Sequence, residues 1–304
     1  MWQIHLSMAD MNIYWPGLVL LGAFIGFLTG MFGVGGGFLL TPLLKIVFGI
    51  PYPIAVGSDL LQIFINGTFS AWKHWKYKNV DLIMGMVMAA GSLGGTEVGV
   101  RLLKSLNNSG RVIINAHSMP ILDLVLNGIF LILMVGVAIL IWKETSNSSG
   151  EEVAASSVSK RLRACRISPQ LEFPHSGISS MSIWVPLVIS FFVGILTGFL
   201  GVGGGFINFP LMVYVIGMPT AVAVGTGAFQ LLFSTGYGAL RHALQGHVEL
   251  LLVAFLLIGS LVGVQIGVYA SRFFGGRMIR KYFAWILVLA IGVIVWDVIH
   301  EIWL

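Results

Sequence analysis

Apolar residues fill ten stretches of this chain, five on each side of a polar middle. They run 13–32, 37–49, 54–71, 80–100 and 121–142, then 183–200, 205–217, 220–240, 248–270 and 282–299. The longer ones suit a bilayer core of about 30 Å at about 1.5 Å per helical residue. The second of each set does not: residues 37–49 would make a helix only about 20 Å long. Each short stretch follows a GVGGG run, so it and its predecessor read as one helix broken at the glycines, forming a re-entrant hairpin or a short pair. Residues 143–182, which include KETSNSSGEEVAASSVSKRLRACRISPQLEFPHSG, are rich in serine and charge and show no apolar period. That composition predicts a largely disordered linker. Its basic run KRLRACR could meet anionic headgroups, but a solvated linker that enforces topology accounts for it as well.

The two halves are copies. Adding 168 to a residue number carries Gly26–Val100 onto Gly194–Val268 without a gap, and 29 of those 75 positions are identical, far above chance. The fold expected is therefore an all-α polytopic membrane protein of two inverted repeats, with a glycine-broken helix in each. Its divisions are an N-terminal tail (1–12), a first transmembrane repeat (13–142), the linker (143–182) and a second transmembrane repeat (183–304).

Composition agrees: 57% hydrophobic and 10% charged residues, with a mean hydropathy of +0.93, leave too little polar surface to solvate a globule of 304 residues. The first fifteen residues lack Lys and Arg, so the n-region of a secretory signal is missing and the first apolar segment is expected to be retained. Cys165 is the single cysteine, which excludes an intramolecular disulfide and argues against a cysteine metal cluster. The net charge of +5 resides at the ends of apolar segments, where topology explains it better than nucleic acid does. If each broken pair returns the chain to the side where it started, an outside N-terminus places twelve basic residues in the cytoplasm. These are Lys73, Lys76, Lys78, Lys143, Lys160, Arg161, Arg163, Arg166, Arg272, Arg277, Arg280 and Lys281. Arg101, Lys104, Arg111 and Arg241 then lie outside, and Lys45 lies within the membrane. The rival, one crossing per broken pair, splits the same residues nine against seven. The first arrangement puts both termini outside the cell membrane and the linker in the cytoplasm, and an odd number of crossings per copy inverts the repeats.

Two features carry candidate chemistry. In GVGGGF the absent side chains let backbone N–H groups of Gly35, Gly36 and Gly37, and of Gly203, Gly204 and Gly205, turn toward one point at the start of a helix. With Gly33 and Gly201 the density exceeds what packing needs, whereas the four-residue spacing of Gly22, Gly26, Gly30, of Gly91, Gly95, Gly99 and of Gly259, Gly263, Gly267 is a packing pattern. Packing and anion coordination make different forecasts for Gly36→Ala and Gly204→Ala, coordination predicting lost affinity at nearly constant stability. No Lys-Ser/Thr follows the glycines as in a P-loop, and no strand or acidic ribose partner supports a Rossmann turn. The second feature is a polar stripe: Ser58, Gln62 and Asn66 are spaced by four, and Thr226, Gln230 and Ser234 match them in the other copy. Each trio shares a helical face that must turn inward, as interhelical glue or as donors for an oxyanion.

Three charges in apolar surroundings break the symmetry: Lys45 against Val213, Asp59 against Gly227, Glu97 against Gln265. Asp59 and Glu97 are candidate proton carriers and Lys45 a candidate anion attractor, although Lys45 could equally pair with either carboxylate. His74 and His242, followed by Asp81 and Glu249, lack the local spacing of a zinc site; neither metal nor cofactor is expected.

GFLTGMFGVGGGFLLTPLL, its copy GFLGVGGGFINFPLM, and the following PYPIAVGSDLLQ and MPTAVAVGTGAFQ resemble the sulfite exporter TauE/SafE family, also called toluene-sulfonate uptake permeases. The resemblance spans both repeats and implies a permease for sulfur-containing anions such as sulfite, thiosulfate, sulfonates or sulfoacetate, usually moving them outward. The first copy departs from its mate at Asp59 and at Tyr52-Pro53, so the two halves of the site are not identical. The expectation is a non-enzymatic carrier working by alternating access, with a small sulfur anion and the bilayer as partners and no nucleic acid. An anion channel would use the same donors, and a membrane enzyme acting on a sulfur compound lacks a nucleophile-base pair. The sequence allows a homodimer without specifying one.

Overall fold

The structure is a computed structural model that describes residues 2–303 apart from 115–116, 148–158, 160–161 and 163–166. Cys165 and most of the basic run of the linker thus lie outside the described residues. Ten helices fill the rest, one for each apolar stretch: α1 (Trp15–Phe32), α2 (Gly37–Phe48), α3 (Tyr52–Lys76), α4 (Leu82–Asn107), α5 (Ile121–Asn147), α6 (Trp184–Leu200), α7 (Gly205–Ile216), α8 (Thr220–Ala243), α9 (Leu250–Ser271) and α10 (Gly276–Trp303). Five of them, α1, α4, α5, α9 and α10, are long and apolar enough to cross a membrane. Leu20, Ile132, Phe192, Leu289 and Trp296 are exposed on the outside, as a lipid-facing surface requires.

The glycine runs end one helix and begin the next. Gly33 closes α1 with φ 65°, its N–H donating to the Thr29 carbonyl, and Gly201 does the same for α6 with φ 75° and Thr197. Left-handed backbone at these points costs a β-carbon residue steric strain that glycine avoids. α7 begins as an α-helix and continues as a π-helix over Leu211–Ile216, after Pro210.

Reciprocal contacts relate the halves. Gly22, Gly26 and Gly30 of α1 abut the backbone of Leu256, Ser260 and Val264 in α9, so closely that a methyl group at Gly26 would overlap the Ser260 carbonyl oxygen. Gly91, Gly95 and Gly99 of α4 abut Leu187, Phe191 and Ile195 of α6 in the same manner. The four-residue glycine spacing thus serves backbone-to-backbone packing across the two copies. In both pairs the numbers rise together, so the partners run parallel. α3 is also parallel to α9, since Ser58 meets Glu249 and Asn66 meets Ser260. α3 and α8 are antiparallel: Gly57 abuts His247 and His242, while Gly225 abuts Asn79 and His74. Because α1 and α3 point the same way, α2 carries the chain back toward the end from which α1 started. A broken pair that crossed once would have made α1 and α3 antiparallel.

Three two-stranded hairpins supplement the helices: β1 (Gln3–Leu6) with β2 (Met11–Tyr14), β3 (Arg111–Ile114) with β4 (His117–Pro120), and β5 (Gln170–Phe173) with β6 (Ile178–Ser182). The first lies in the expected tail and runs on to Tyr14, and the last gives an ordered end to the linker that was expected to be largely disordered. Strands of four or five residues are too short to show a period, and their order comes from docking. The Met8 N–H donates to Glu249 Oε2 at 2.7 Å, and Ser176 donates to Asp81 Oδ2 through its N–H at 3.1 Å and its hydroxyl at 2.6 Å. Met8 and Ser176, like Asp81 and Glu249, are 168 residues apart, so the duplication extends to these hairpins.

Candidate anion site at the two broken helices

The two glycine runs meet in the centre of the molecule. A β-carbon on Gly37 would stand 2.9 Å from Val202 Cα, and one on Gly205 would overlap the Val34 backbone. Phe38 and Phe206, the residues that follow, stack with ring centroids 5.5 Å apart. Ile63 of α3 reaches Gly35 and Gly37 of the first run and Gly203 of the second, and Leu231, its counterpart in α8, reaches Gly35. Gly35, Gly36, Gly203 and Gly204 hold φ between 66° and 80°. The amides that open α2 and α7 are those a helix leaves without an intrahelical acceptor, and the helix dipole adds partial positive charge there.

The same geometry corrects one expectation. A β-carbon at Gly36 would stand 2.5 Å from Ile25 Cγ2, and one at Gly204 would overlap Val193 Cγ1. Alanine is strained at both by backbone and by space, so constant stability is not to be expected of Gly36→Ala or Gly204→Ala.

All six stripe residues are buried, but their situations differ. Ser58 Oγ accepts the Glu249 N–H at 3.0 Å and Thr226 Oγ1 accepts the Asp81 N–H at 2.9 Å, each at the start of a helix of the other copy. Ser234 Oγ donates to the Leu231 carbonyl at 3.3 Å, within its own helix. Asn66 Oδ1 accepts from Ser260 at 3.0 Å, while its Nδ2 has no partner. Gln230 Oε1 accepts from Asn208 Nδ2 of α7 at 2.8 Å, leaving its own Nε2 and Asn208 Oδ1 without partners. Gln62 is fully buried, and both its amide atoms lack partners among the described residues. Buried amides without partners are uncommon and mark where polar matter from outside the chain would be stabilised. The antiparallel register of α3 and α8 sets Asn66 and Ser234 near the level of their crossing. It separates Gln62 from Gln230 by about seven residues, roughly 10 Å along the axis at about 1.5 Å per residue.

The charges separate. Asp59 is fully buried beside Gly37; its Oδ2 accepts from Thr41 of α2 at 2.7 Å, its Oδ1 has no partner, and no cation pairs with it among the described residues. Lys45 pairs with neither Asp59 nor Glu97: its Nζ lies 2.6 Å from Asp123 Oδ2 of α5 and 5.7 Å from the Tyr52 ring. The Tyr52 hydroxyl donates to Asn127, one turn on from Asp123. Glu97 is held by Arg241 at 2.8 and 3.1 Å, Arg101 at 2.7 Å and Tyr237 at 2.9 Å, at a partly exposed position away from the glycine runs. His242 lies against the Gly198 carbonyl at 3.1 Å, while Asp81 and Glu249 hold the hairpins.

Sequence reading missed Thr41, Asn208, Asp123, Asn127 and Arg280. Thr41 and Asn208 lie one residue out of register between the copies, so no shared motif revealed them. The four-residue spacing of Asp123 and Asn127 in an apolar helix was a usable signal. Arg280 was indistinguishable from its topogenic neighbours Arg277 and Lys281.

Crossed helical repeats, two interrupted helices meeting at the centre and buried amides around them define a polytopic membrane protein of the transporter kind. The family model for the sulfite exporter TauE/SafE matches residues 18–294, and the chain belongs to that family. It is 29% identical to the probable membrane transporter protein YjnA of Bacillus subtilis over 90% of this chain and 96% of the relative. It is 28% identical to the probable membrane transporter protein YunE of the same organism over 84% and 88%, and 25% identical to a probable membrane transporter protein of Xylella fastidiosa over 90% and 92%. No solved structure matches the chain.

Proposed function

We propose that this protein is a carrier that exports a small sulfur-containing anion, such as sulfite, thiosulfate, a sulfonate or sulfoacetate, by alternating access around the two broken helices. One observation carries the reading: both glycine runs converge on Ile63, on a helix pair whose buried Gln62, Asn66 and Gln230 amide nitrogens lack partners among the described residues. Neutral donors and helix-end amides hold an oxyanion without trapping it as a fixed cation would. Asp59, beside Gly37, would repel a bound anion when ionised; carried in protonated form it becomes a donor, which makes it the candidate for proton coupling.

The parallel course of α1 and α3 supports a chain that returns after each broken pair, and with it inverted repeats in the cell membrane, both termini outside and the linker in the cytoplasm. An impermeant maleimide should then leave Cys165 unlabelled in intact cells and label it in inside-out vesicles. For function, purified protein in liposomes should take up labelled sulfite or thiosulfate with saturation and should accelerate when unlabelled anion is placed on the far side. Flux that neither saturates nor exchanges would point to a channel, and no flux of any sulfur anion would end the proposal.

A further inference from the structure

The cytoplasm-facing end assigned above contains a group that the central site does not use. Arg280 of α10 is 1% exposed, the largest fully buried side chain among the described residues. Its Nη1 donates to Thr220 Oγ1, at the first residue of α8, at 2.6 Å. Its Nε and Nη2 have no partner among the described residues. Those two nitrogens form the side-on edge of the guanidinium, the edge that grips two oxygens of a carboxylate, sulfur or phosphorus oxyanion at once. No carboxylate pairs with it among the described residues. The equivalent junction of the first copy is complete: Lys45 has Asp123, and Tyr52, which occupies the place of Thr220, has Asn127.

A buried cation without a counter-charge is strongly disfavoured, so the fold implies a negative partner. We infer that Arg280 and Thr220, with the opening turn of α8, form a second oxyanion site, separate from the glycine runs, that takes a group of sulfite or sulfate shape on its free edge. Thr220 fixes the guanidinium plane from one side, which leaves the side-on edge as the one place for a ligand. The start of α8, a helix of 24 residues, adds positive potential to the same spot. Arg277 also lines a groove of about 670 Å³ between α5 and α10, together with Trp142, Lys281, Tyr282 and Trp285. Arg280 does not itself line that groove, but Arg277 lies three residues before it on α10, so a lipid phosphate is a second source of the same chemistry. The site deepens the carrier reading as a holding point for the anion near the cytoplasmic mouth, yet it can be tested without transport.

The test uses the full chain in nanodiscs of zwitterionic lipid, in buffer free of sulfate and phosphate, and reads melting temperature against added sulfate or sulfite. The wild type should show a saturable rise. Arg280→Lys, which keeps the charge and loses the fork, should raise the half-saturating concentration about tenfold. Arg280→Met should abolish the anion response of this site while melting no lower than wild type in anion-free buffer, because the unpaired cation is gone. An Arg280→Met protein that melts lower and still responds fully to sulfate would make Arg280 a structural ion and overturn the site. Phosphatidylglycerol nanodiscs separate the sources: an Arg280-dependent rise with that lipid and none with free sulfate assigns the oxyanion to a lipid phosphate. Gln62→Leu should leave the Arg280-dependent rise intact, so loss of the central site and loss of this one are told apart.

Discussion

At the α2–α3 junction the cation Lys45 is met by Asp123, and in α3 Gln62 has no partner among the described residues. At the α7–α8 junction the cation Arg280 lacks a counter-charge among the described residues, and Gln230 is held on one side by Asn208. The copies share a backbone and reverse the placement of unfinished hydrogen bonding. What they hold in common is packing glycine against backbone, which tolerates no change in either. What they have traded is polar chemistry, one or two residues per helix: Thr41–Asp59 in the first copy stands where Phe209 and Gly227 stand in the second. In the carrier proposed above, that difference would let the two states bind the anion with different affinities.

The largest expected effect tests the shared part. Gly95→Val and Gly263→Val are equivalent positions, and each would drive a side chain into a backbone carbonyl, of Phe191 and of Ala23. Each should cost about 3 kcal/mol or more, the upper range for overpacking, and reduce folded yield by similar amounts. Gel-filtration yield and melting temperature of the two variants check this. A benign outcome in one copy alone would show that the packing is not shared.

Next come the two glutamines, where equal effects would break the comparison. Gln62→Leu should weaken sulfur-anion binding by about 1 to 3 kcal/mol with stability unchanged or improved, since no bond within the protein is lost. Gln230→Leu should weaken binding on the same scale and also destabilise by about 1 to 2 kcal/mol, because the buried Asn208 amide loses its acceptor. Affinity and melting temperature measured on the same preparations separate the two. Normal binding by both variants would move the site elsewhere.

These differences bear on what the sequence could reveal. Hydrophobic runs located ten helices because burial in lipid and burial in protein both demand long apolar segments, and the doubled glycine spacing identified the packing faces of α1, α4 and α9. The polar stripes read correctly as inward-facing, since all six residues are buried. Periodicity does not name partners. Ser58 and Thr226 looked equivalent to Gln62 and Gln230, yet they accept amides of Glu249 and Asp81, residues brought near only by the crossing of the two copies. Lys45 likewise found Asp123, 78 positions away, rather than either carboxylate considered for it. Short hairpins such as β1–β2 escaped for the opposite reason: they are too short for a period and take their order from docking, through buried Leu6 and Ile13 and the Met8 bond to a distant acid.

Asp59→Asn tests where coupling resides. Asn retains an acceptor for the Thr41 hydroxyl, so the fold should survive, while the ionisable group is gone from the one copy that has it. Uptake driven by a proton gradient should disappear, and exchange of anion for anion across liposomes should continue. Persistence of the proton-driven component would remove Asp59 from the coupling role and leave the asymmetry at that position structural.

The smallest effect is expected of Glu97→Gln, which gives the first copy the residue type that the second carries at Gln265. Glu97 is already satisfied by Arg101, Arg241 and Tyr237, with its side chain 21% exposed and Arg101 75% exposed. Ion pairs in such surroundings contribute about 0 to 1 kcal/mol, because water and salt screen them and ordering long side chains costs entropy. Melting temperature should therefore fall slightly, more at low salt than at high, and proton-driven uptake should stay near wild type. A loss of proton coupling comparable to that of Asp59→Asn would instead place the proton path through α4 and α8. The asymmetry that matters for transport would then lie at the rim of the molecule, among residues that already have partners, and not at the amides around the broken helices.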